Sequence, residues 1–193
     1  MSAFLEFLSR SAFHLPSQLL GGLDGVPWPI GRVVDMVRAR VVLRDCRLGS
    51  RVAATGRVSV RNRGTITIGN RVLFSGGMVP SALSCDPGAT LRIWDDSYLN
   101  YGVSIQARHS VDIGKRCLIA SFTRLSDEQA GKRRGLLIGD DVWIAYGVTI
   151  GPGVTTIGNG SILAAGSTIV HDVPDGFVAT GSPARYKPLE LAT

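Results

Sequence analysis

The chain has 193 residues, 45% of them hydrophobic and 24 of them glycine, so the composition predicts one globular unit with its own core and excludes a disordered chain. The formal charge of +6 is typical of a protein with an acidic partner. The sequence has no helix-turn-helix, zinc finger or basic stripe interleaved with aromatic residues, so we expect phosphates of a soluble cofactor or of a lipid-linked sugar and no nucleic acid.

The cysteines and the N-terminus indicate the compartment. Cys46, Cys85 and Cys117 are odd in number and have no C-x-x-C spacing, which predicts reduced thiols in the cytoplasm and no metal site. No apolar run is long enough to span a bilayer, and Glu6 stands where a signal peptide would be basic. We therefore expect neither a membrane helix nor a signal peptide.

Residues 1–45 differ in composition from the rest and predict two helices. The first covers residues 2–15, where apolar side chains recur near one helical face. The second begins at Pro29, a favoured first helical position, and continues through Val41. We interpret both as a cap on the repeats that follow, because exposed strand edges need covering. Attachment to a membrane surface or to a partner is the alternative.

An aliphatic residue then recurs at intervals of about six, which is the strongest pattern in the chain. These positions are Ile68, Ile93, Leu99, Ile105, Ile113, Ile119, Ile138, Ile144, Ile150, Ile157, Leu163 and Ile169. The next residue is often small, as at Gly139 and Ala145. An amphipathic helix needs apolar spacing near 3.6 and a half-buried strand a spacing of 2, so neither explains this period.

A six-residue unit fits one side of a three-sided parallel β-helix. The interior of such a coil has room for one aliphatic side chain per side, and its corners turn too tightly for bulky residues. Coils stack about 4.8 Å apart, and only stacking buries the aliphatic column. We predict an all-β protein, with a parallel β-helix of hexapeptide repeats over residues 46–188, a helical cap over residues 1–45 and a short C-terminal element.

Two stretches interrupt the repeats and are predicted to leave the stack as loops. The first, residues 76–91, is rich in Gly, Pro and Ser, and the second, residues 121–137, contains the basic cluster Lys132, Arg133 and Arg134. Insertions in solenoid proteins form loops on one face and often carry function. Residues of the second loop are therefore candidates for a site.

The C-terminal half carries the motifs of a known family. They are the I-G-D-D-V-W-I unit that begins at Ile138, the A-A-G-S unit that begins at Ala164, and the G-S-P-A-R element that ends at Arg185. Residues 93–188 resemble the hexapeptide-repeat acyltransferases, and among them the maltose, galactoside and nodulation-type sugar O-acetyltransferases. The resemblance implies a left-handed parallel β-helix, a homotrimer with active sites between subunits, acetyl-CoA as the donor and a hydroxyl-bearing acceptor.

The resemblance also implies binding residues. The pantetheine arm of CoA would lie along the last coils, with its phosphates near the C-terminal element. The positions that match these contacts are Ala145, Gly147, Ala164, Ala165, Ser182, Arg185 and Lys187. The acceptor would be held in part by the asparagine of an N-Y-x segment, which matches Asn100 and Tyr101. A corner residue in a tight turn is the alternative role for Asn100.

The catalytic histidine of the sugar O-acetyltransferases is missing from its usual place. The family carries it in the second loop, but residues 125–131 read L-S-D-E-Q-A-G, and no histidine lies between Val111 and Val170. Acyl transfer to a hydroxyl needs a group that accepts the proton, and histidine suits this task near neutral pH.

His109 is the candidate base. It lies four residues before Ile113, the H-x-x-x-[aliphatic]-G spacing in which some other left-handed β-helix acyltransferases place their histidine. The eight-residue step from Ile105 to Ile113 also leaves room for a bulge that aims the ring into a cleft. An exposed turn histidine is the alternative. His14 and His171 are interpreted as a cap residue and a surface turn.

Carboxylates are predicted to assist His109. One of them should orient the second ring nitrogen, and Asp112, Asp127 and Glu128 are the candidates. In the alternative, Asp127 or Glu128 acts as the base itself, which requires a raised pKa.

Two functions from different classes remain open. One is a CoA-dependent O-acetyltransferase that moves an acetyl or short acyl group to a hydroxyl of a saccharide, a glycolipid or a small natural product. The other is a catalytically inactive β-helix scaffold or regulatory subunit, which the missing loop histidine favours and the CoA-binding elements oppose. A zinc carbonic anhydrase on the same fold needs three histidine ligands, which the spacing of the histidines does not offer.

Overall fold

A computed structural model of the protein describes residues 30–128 and 135–189. These residues form one α-helix, α1 (Ile30–Val42), which is followed by twenty β-strands. The helix predicted at residues 2–15 and the basic cluster predicted in the second loop lie outside the described residues.

The strands wind into a three-sided parallel β-helix of about six turns, in which each side is one sheet. The first face contains β1 (Arg47–Leu48), β4 (Thr65–Ile68), β7 (Thr90–Ile93), β10 (Ser110–Ile113), β13 (Leu136–Ile138) and β16 (Thr156–Ile157). The second contains β2 (Ala53–Ala54), β5 (Leu73–Phe74), β8 (Tyr98–Leu99), β11 (Leu118–Ile119), β14 (Trp143–Ile144), β17 (Ile162–Leu163), β19 (Phe177–Gly181) and β20 (Ala184–Pro188). The third contains β3 (Val58–Asn62), β6 (Ser81–Cys85), β9 (Ser104–Ala107), β12 (Arg124–Ser126), β15 (Thr149–Ile150) and β18 (Thr168–Ile169). The predicted left-handed parallel β-helix is confirmed.

The chain turns at three corners in each coil. Corner 1 joins the first face to the second, corner 2 joins the second to the third, and corner 3 leads from the third face into the next coil. In the coil that begins with β7, these corners are residues 94–97, 100–103 and 108–109. Equivalent strands of adjacent coils pair in register, so residues far apart in the sequence come together at each corner.

The predicted aliphatic column fills the interior. On the first face its members are in register and at most 1% exposed: Ile68, Ile93, Ile113, Ile138 and Ile157. Alternate residues of a strand point to opposite sides, so the neighbours of these isoleucines face outward. Burial of one such side chain is worth about 1.5–3 kcal/mol, which makes the column the main stabilising element of the fold.

Close stacking of the coils explains the small residue after each core aliphatic. A Cβ added to Gly139 would lie 2.8 Å from the backbone N of Asn159, so the next coil leaves no room for a side chain. Two residues after this small residue, at corner 1, the backbone adopts the left-handed conformation, and in several coils the residue there is charged. The charged residues with a positive φ at this corner are Arg51, Arg71, Asp96, Arg116 and Asp141.

These corner residues pair between adjacent coils. Arg71 binds Asp96 through two guanidinium nitrogens, and Arg116 binds Asp141 through Nε and Nη2, both at 2.7 Å. Bidentate charge-assisted hydrogen bonds of this kind have fixed geometry. The Arg116 pair is about half exposed, so its net contribution is at most about 1 kcal/mol, and its main effect is to fix the register of the coils.

The structure corrects the interruption predicted at residues 76–91. This stretch contains β6, which pairs in parallel with β3 and β9, so it is part of a regular coil. The stretch at residues 121–137 likewise contains β12 and the start of β13. Most of the segment between these two strands, where the second loop is predicted, lies outside the described residues.

Helix α1 covers part of the first coil, as a cap would. Ala39 and Leu43 are fully buried, and the helix contacts β2 and β3. Arg38 donates from Nη1 to the carbonyl oxygen of Thr55 at 2.9 Å. The other side of the helix leaves four valines more than half exposed, Val33, Val34, Val37 and Val41. Over residues 30–128 and 135–189, no helix has the length and apolar character needed to cross a bilayer.

The short C-terminal element is a hairpin. β19 pairs in parallel with β17, and β20 then returns antiparallel to β19. The hydroxyl of Tyr186 accepts the N–H of His171 and donates to its carbonyl oxygen, both at 3.1 Å. These two bonds fix the hairpin to corner 3 of the last coil.

Candidate active site

An open cleft of about 620 Å³ lies at corner 3. Four successive coils contribute to it, so its side chains come from four separated stretches of sequence. The lining residues are Asp86, Arg108, His109, Ser126, Glu128, Ile150 and Pro152. A concave surface on which several ionisable groups converge is the first place to look for chemistry.

His109 lies in the two-residue link between β9 and β10. Its carbonyl oxygen accepts the N–H of Thr90 at the start of the same coil, and its half-buried side chain lines the cleft. Among the described residues, no side chain forms a hydrogen bond or an ion pair with the imidazole. Within residues 30–128 and 135–189, both ring nitrogens are therefore available to a ligand, as a general base requires.

Asp127 binds the backbone of the same link. The residue is fully buried, and its Oδ1 accepts the N–H of Arg108 while Oδ2 accepts those of His109 and Ser110, each at 2.7 Å. Charge-assisted bonds to three donors occupy this carboxylate on the inner side of the corner. The structure thus gives Asp127 a partner other than those predicted, because it contacts neither the imidazole nor the open cleft.

The other two predicted carboxylates lie in different surroundings. Glu128 lines the cleft, where its Oε1 forms an ion pair with Nη2 of Arg108 at 3.0 Å. Asp112 lies on the outward side of the first face and accepts the indole N–H of Trp94 at 2.6 Å and a guanidinium N–H of Arg92 at 3.3 Å. Of the three predicted carboxylates, Glu128 alone lines the cleft with His109.

Asp86 is a cleft residue that sequence reasoning missed. It occupies corner 3 of the preceding coil, where its N–H donates to the carbonyl oxygen of Ala107, and its side chain lines the cleft beside Arg108 and His109. No ion pair or side-chain hydrogen bond engages its carboxylate within the described part of the chain. The Gly, Pro and Ser content of residues 76–91 predicts a loop and so hides this residue, although it stands one coil before Arg108.

The predicted acceptor residues lie at corner 2. Asn100 accepts the N–H of Tyr101 on its own Oδ1 at 2.9 Å, a local bond of the kind that stabilises a tight turn. The ring of Tyr101 packs edge-on against Phe122, and Phe122 packs against Tyr146, with centroids 5.6 Å and 5.5 Å apart. Three successive coils thus form an aromatic column at corner 2, which the sequence motifs did not indicate.

One chain does not bring the predicted base and the predicted acceptor residues together. Asn100 and Tyr101 precede β9, whereas His109 follows it. The third face of the prism therefore separates corner 2 from corner 3 within a subunit. The outward side of this face carries small and polar residues such as Ser104 and Thr149, with Arg124 between them in register.

The predicted pantetheine contacts also lie at corner 2, around and after the last ring of the aromatic column. Ala145 and Gly147 flank Tyr146, which is 57% exposed. The pairing of Ile144 with Leu163 places Ala164 and Ala165 at the same corner of the next coil. Small residues thus lie beside the protruding ring of Tyr146 on its own coil and on the next one.

The predicted phosphate contacts lie on the C-terminal hairpin. The hydroxyl of Ser182 donates to the hydroxyl of Thr168 at 2.8 Å, which ties the turn of the hairpin to the third face. Arg185 and Lys187 are exposed on β20, two residues apart, and therefore point to the same side of the strand. Two cations on one side of a tethered strand form a surface that suits phosphate groups.

The cysteines are not poised for nucleophilic catalysis. Burial raises the pKa of Cys46 and that of Cys117 to about 12, and burial also raises the pKa of Cys85. Thiols with raised pKa values stay protonated at neutral pH and react slowly. Within residues 30–128 and 135–189, no three His, Cys, Asp or Glu side chains converge in a way that could hold a metal ion.

The outward side of the second face carries a continuous apolar stripe. Its members are in register on successive coils: Leu73, Tyr98, Leu118, Trp143, Ile162 and Val178. Equivalent outward positions on the first face include Arg92 and Asp112, which are charged. A row of apolar side chains along one face of a prism indicates a contact surface.

The sequence is similar to that of curated acetyltransferases. It is 35% identical to the galactoside O-acetyltransferase of Escherichia coli over 109 residues, which are 51% of this chain and 53% of that protein. The chain thus spans about half the length of the curated relatives it matches. No model of a known protein family matches the sequence.

The fold is similar to that of solved acyltransferases. A hexapeptide-repeat-containing acetyltransferase of Vibrio cholerae is 25% identical, with a TM-score of 0.55 over 97% of this chain and 93% of that one, and it has also been solved with acetyl-CoA. AntD, an N-acyltransferase of Bacillus cereus solved with dTDP and 3-hydroxybutyryl-CoA, has a TM-score of 0.65 over 79% of this chain and 86% of its own. AntD is 19% identical, so this second likeness shows the fold alone.

Proposed function

Because the chain belongs to the hexapeptide-repeat, left-handed β-helix acyltransferase family, we propose that it is a CoA-dependent O-acetyltransferase. It moves an acetyl or short acyl group to a hydroxyl of a saccharide, a glycolipid or a small natural product. The observation that carries this proposal is His109, whose imidazole lines an open cleft and is free of protein partners among the described residues.

His109 is the general base of the proposed reaction. Bound acetyl-CoA supplies a thioester whose carbonyl carbon accepts the attacking oxygen. His109 takes the proton of the acceptor hydroxyl as the C–O bond forms, and it returns that proton to the sulfur as the C–S bond breaks. Base catalysis of this kind contributes about 10²–10⁴-fold to a rate. Neutral imidazole suits this role at physiological pH.

The residues of corner 2 and the hairpin fit the donor. The small residues Ala145, Gly147, Ala164 and Ala165 beside the exposed ring of Tyr146 would leave room for a narrow pantetheine arm. Ser182 lies in the tethered turn of the hairpin, and the exposed cations Arg185 and Lys187 are placed to hold phosphates. These residues would bind and orient the thioester, with no metal ion required.

A homotrimer would complete the site. A neighbouring subunit that packs against the apolar stripe of the second face would cover it and would bring its corner 3 close to corner 2 of the first subunit. Asn100 and Tyr101 of one subunit would then bind the acceptor near His109 of another. Heterologous contacts that close after three subunits produce such a ring. The apolar stripe and the separation of Asn100 from His109 support this arrangement.

The cytoplasm is the proposed location. The three cysteines are free thiols in the structure, as a reducing compartment requires. The exposed valines of α1 leave room for contact with a membrane surface, which would bring the enzyme close to a lipid-linked acceptor.

The alternative function is a catalytically inactive scaffold or regulatory subunit. It is favoured by the absence of the loop histidine of the sugar O-acetyltransferases and by the burial of Asp127, which removes one candidate base. A scaffold of this kind could still retain the surface that binds CoA.

Two measurements test the proposal together. Calorimetric titration with CoA and with acetyl-CoA reports donor binding, and thiol release from acetyl-CoA over a panel of sugars reports transfer. Binding together with acceptor-dependent thiol release supports the transferase. If the protein binds the donor but no acceptor in the panel causes thiol release, the scaffold is favoured. If neither CoA nor acetyl-CoA binds, the proposal is contradicted.

A further inference from the structure

The carboxylate of Asp127 holds the backbone on which His109 is mounted. Its three hydrogen bonds go to three consecutive residues, Arg108, His109 and Ser110, with His109 in the middle. The residue is fully buried, so water does not compete for these bonds. An ionised carboxylate bound to three N–H groups is a rigid support, because each donor fixes one peptide plane.

A second, weaker interaction joins residues 126–128 to residues 108–110. Glu128 forms an ion pair with Arg108, but both side chains are about half exposed, so this pair contributes little. Ser126 accepts the N–H of Glu128 on its hydroxyl at 3.1 Å and lines the cleft. Residues 126–128 therefore lie against the two-residue link that carries His109, and Asp127 makes the buried contact between them.

A carboxylate also binds the backbone of the preceding corner elsewhere in the stack, at a corner that has no histidine. Asp172 accepts the N–H groups of Thr155 and Thr156 and the hydroxyl of Thr155, at 2.6–3.0 Å, at corner 3 of a later coil. A carboxylate that binds the preceding corner is thus a general way to fix corner 3 in this chain. What distinguishes Asp127 is that the corner it fixes carries an imidazole that lines a cleft.

We propose that Asp127 is a positioning residue, which acts on the reaction by fixing the backbone of His109 and thereby the direction of its ring. The inference rests on the proposed role of His109 as the base. Asp127 itself does not touch substrate and does not exchange a proton during transfer. We call the three hydrogen bonds from residues 108–110 to Asp127 the clamp. A shift of about 1 Å in a catalytic group is enough to cost about a hundredfold in rate, so loss of the clamp should have a large effect on the chemistry.

The Asp127→Asn variant tests the clamp with the smallest change in shape. The amide keeps one acceptor oxygen but replaces the other with an NH₂ group, which points a donor at a backbone N–H. The matched control is Asp172→Asn, which disturbs the equivalent corner where no imidazole faces the cleft. Thermal melting of both variants measures the loss of stability that the two clamps share.

The first readout is NMR of histidine side chains. The chain has only three histidines, so isotope-labelled histidine gives three ring signals, and His109→Ala assigns the one of interest. We expect Asp127→Asn to shift and broaden the His109 ring signal, because the ring samples several directions, and Asp172→Asn to leave it unchanged. An unchanged His109 signal in Asp127→Asn overturns the proposal. If Asp127→Asn does not fold, hydrogen exchange on the unmodified protein decides, since the clamp requires slow exchange at the amides of residues 108–110.

The second readout is a double-variant cycle on thiol release, with acetyl-CoA and methyl β-galactoside as the probe pair. We expect Asp127→Asn to lower the rate by about a hundredfold when His109 is present and by nothing further in the His109→Ala background. An equal loss in both backgrounds overturns the proposal, because it means that Asp127 acts independently of His109. Full activity of His109→Ala refutes the proposed base, while the NMR comparison still decides whether Asp127 positions the ring.

Discussion

Asn100 and His109 stand at opposite ends of β9, so the third face of the coil lies between the residue predicted to bind the acceptor and the residue predicted to activate it. In the proposed trimer, a site that uses both draws them from two subunits. This relationship gives the proposed trimer a direct kinetic test.

Mixing two inactive variants should restore activity. Asn100→Ala removes one half of the site and His109→Ala removes the other, so a mixed trimer regains a complete site where an intact Asn100 meets an intact His109. Random mixing in equal amounts should give about a quarter of the sites of the unmodified enzyme. Thiol release after refolding the two variants together measures this recovery. The control is the Asn100→Ala/His109→Ala double variant, which should restore nothing when it is mixed with either single variant; a mixture that stays inactive contradicts a shared site.

Removal of the imidazole should slow transfer without loss of donor binding. His109→Ala is expected to lower the rate of thiol release by about two to four orders of magnitude, the usual range for loss of a general base. Affinity for CoA, measured by calorimetry, should stay unchanged because the residues proposed to bind CoA at corner 2 and on the hairpin are intact. His171→Ala serves as the control, since its backbone and not its ring contacts Tyr186. An unchanged rate for His109→Ala would place the base elsewhere.

The hairpin cations should act on the phosphates of the donor and not on its arm. Arg185→Ala and Lys187→Ala are each expected to weaken binding of CoA by about tenfold, because a hydrogen bond to a charged group contributes about 1.5–3 kcal/mol. Binding of pantetheine, which lacks the nucleotide phosphates, should not change. Arg61→Ala, an exposed cation on β3, is the matched control for net charge. Equal losses for CoA and pantetheine would argue against a phosphate site.

A charge in the aliphatic column should disrupt the stack. Ile144 is fully buried and pairs in register with Ile119 and Leu163, so Ile144→Asp places an uncompensated charge in the interior. The expected loss is about 3–5 kcal/mol, measured by urea unfolding. Leu137→Asp, at a position 51% exposed on the first face, should cost far less. A normally melting Ile144→Asp variant would be incompatible with the observed interior.

The corner carboxylate Asp95 should make part of the stability depend on pH. The side-chain amide of Asn70 and then its backbone N–H hold the pKa of Asp95 below its ordinary value of 3.8. A depressed pKa stabilises the folded state fully above the unfolded-state value, and this contribution is lost as the pH falls through the folded-state value. Asn70→Ala should therefore flatten the decline in unfolding free energy between about pH 5 and about pH 2.

The control for this pH dependence is Asn62→Ala. The side chain of Asn62 donates to the carbonyl oxygen of Asp45 at 2.6 Å and accepts the N–H of Gly64 at 3.1 Å, so its loss removes hydrogen bonds of the first coil without touching a carboxylate. We expect a lower unfolding free energy with the same slope against pH. If the two variants give the same slope, Asn70 is not the cause of the shift.

The sequence predicted the fold well because a solenoid is close to one-dimensional. Each coil contacts only its neighbours, so the spacing of residues such as Ile138, Ile144 and Ile150 is enough to place them inside. The same local logic predicted the helix that begins near Pro29. It did not predict β6, because the residues of that coil match the six-residue template poorly and its turn at Pro87-Gly88 resembles a loop.

The site was harder to predict because it depends on which corner each residue occupies. The spacing of His109 indicated a base, but it did not show that Asn100 lies at a different corner. The role of Asp127 depends on backbone N–H groups of the preceding coil, which have no signature in side-chain sequence. Asp86 joins His109 only through the register of two coils.

The return of β20 along β19 has a consequence for the molecule in a crowded cell. A parallel stack that ended at β17 would present an open row of peptide groups onto which another chain could add, coil upon coil, as a fibre grows. The antiparallel strand reverses that edge and carries Lys187 on it, while α1 lies over part of the opposite terminus. Addition of a further coil to the second face is thereby disfavoured, and the sides of the prism remain as surfaces through which copies can meet.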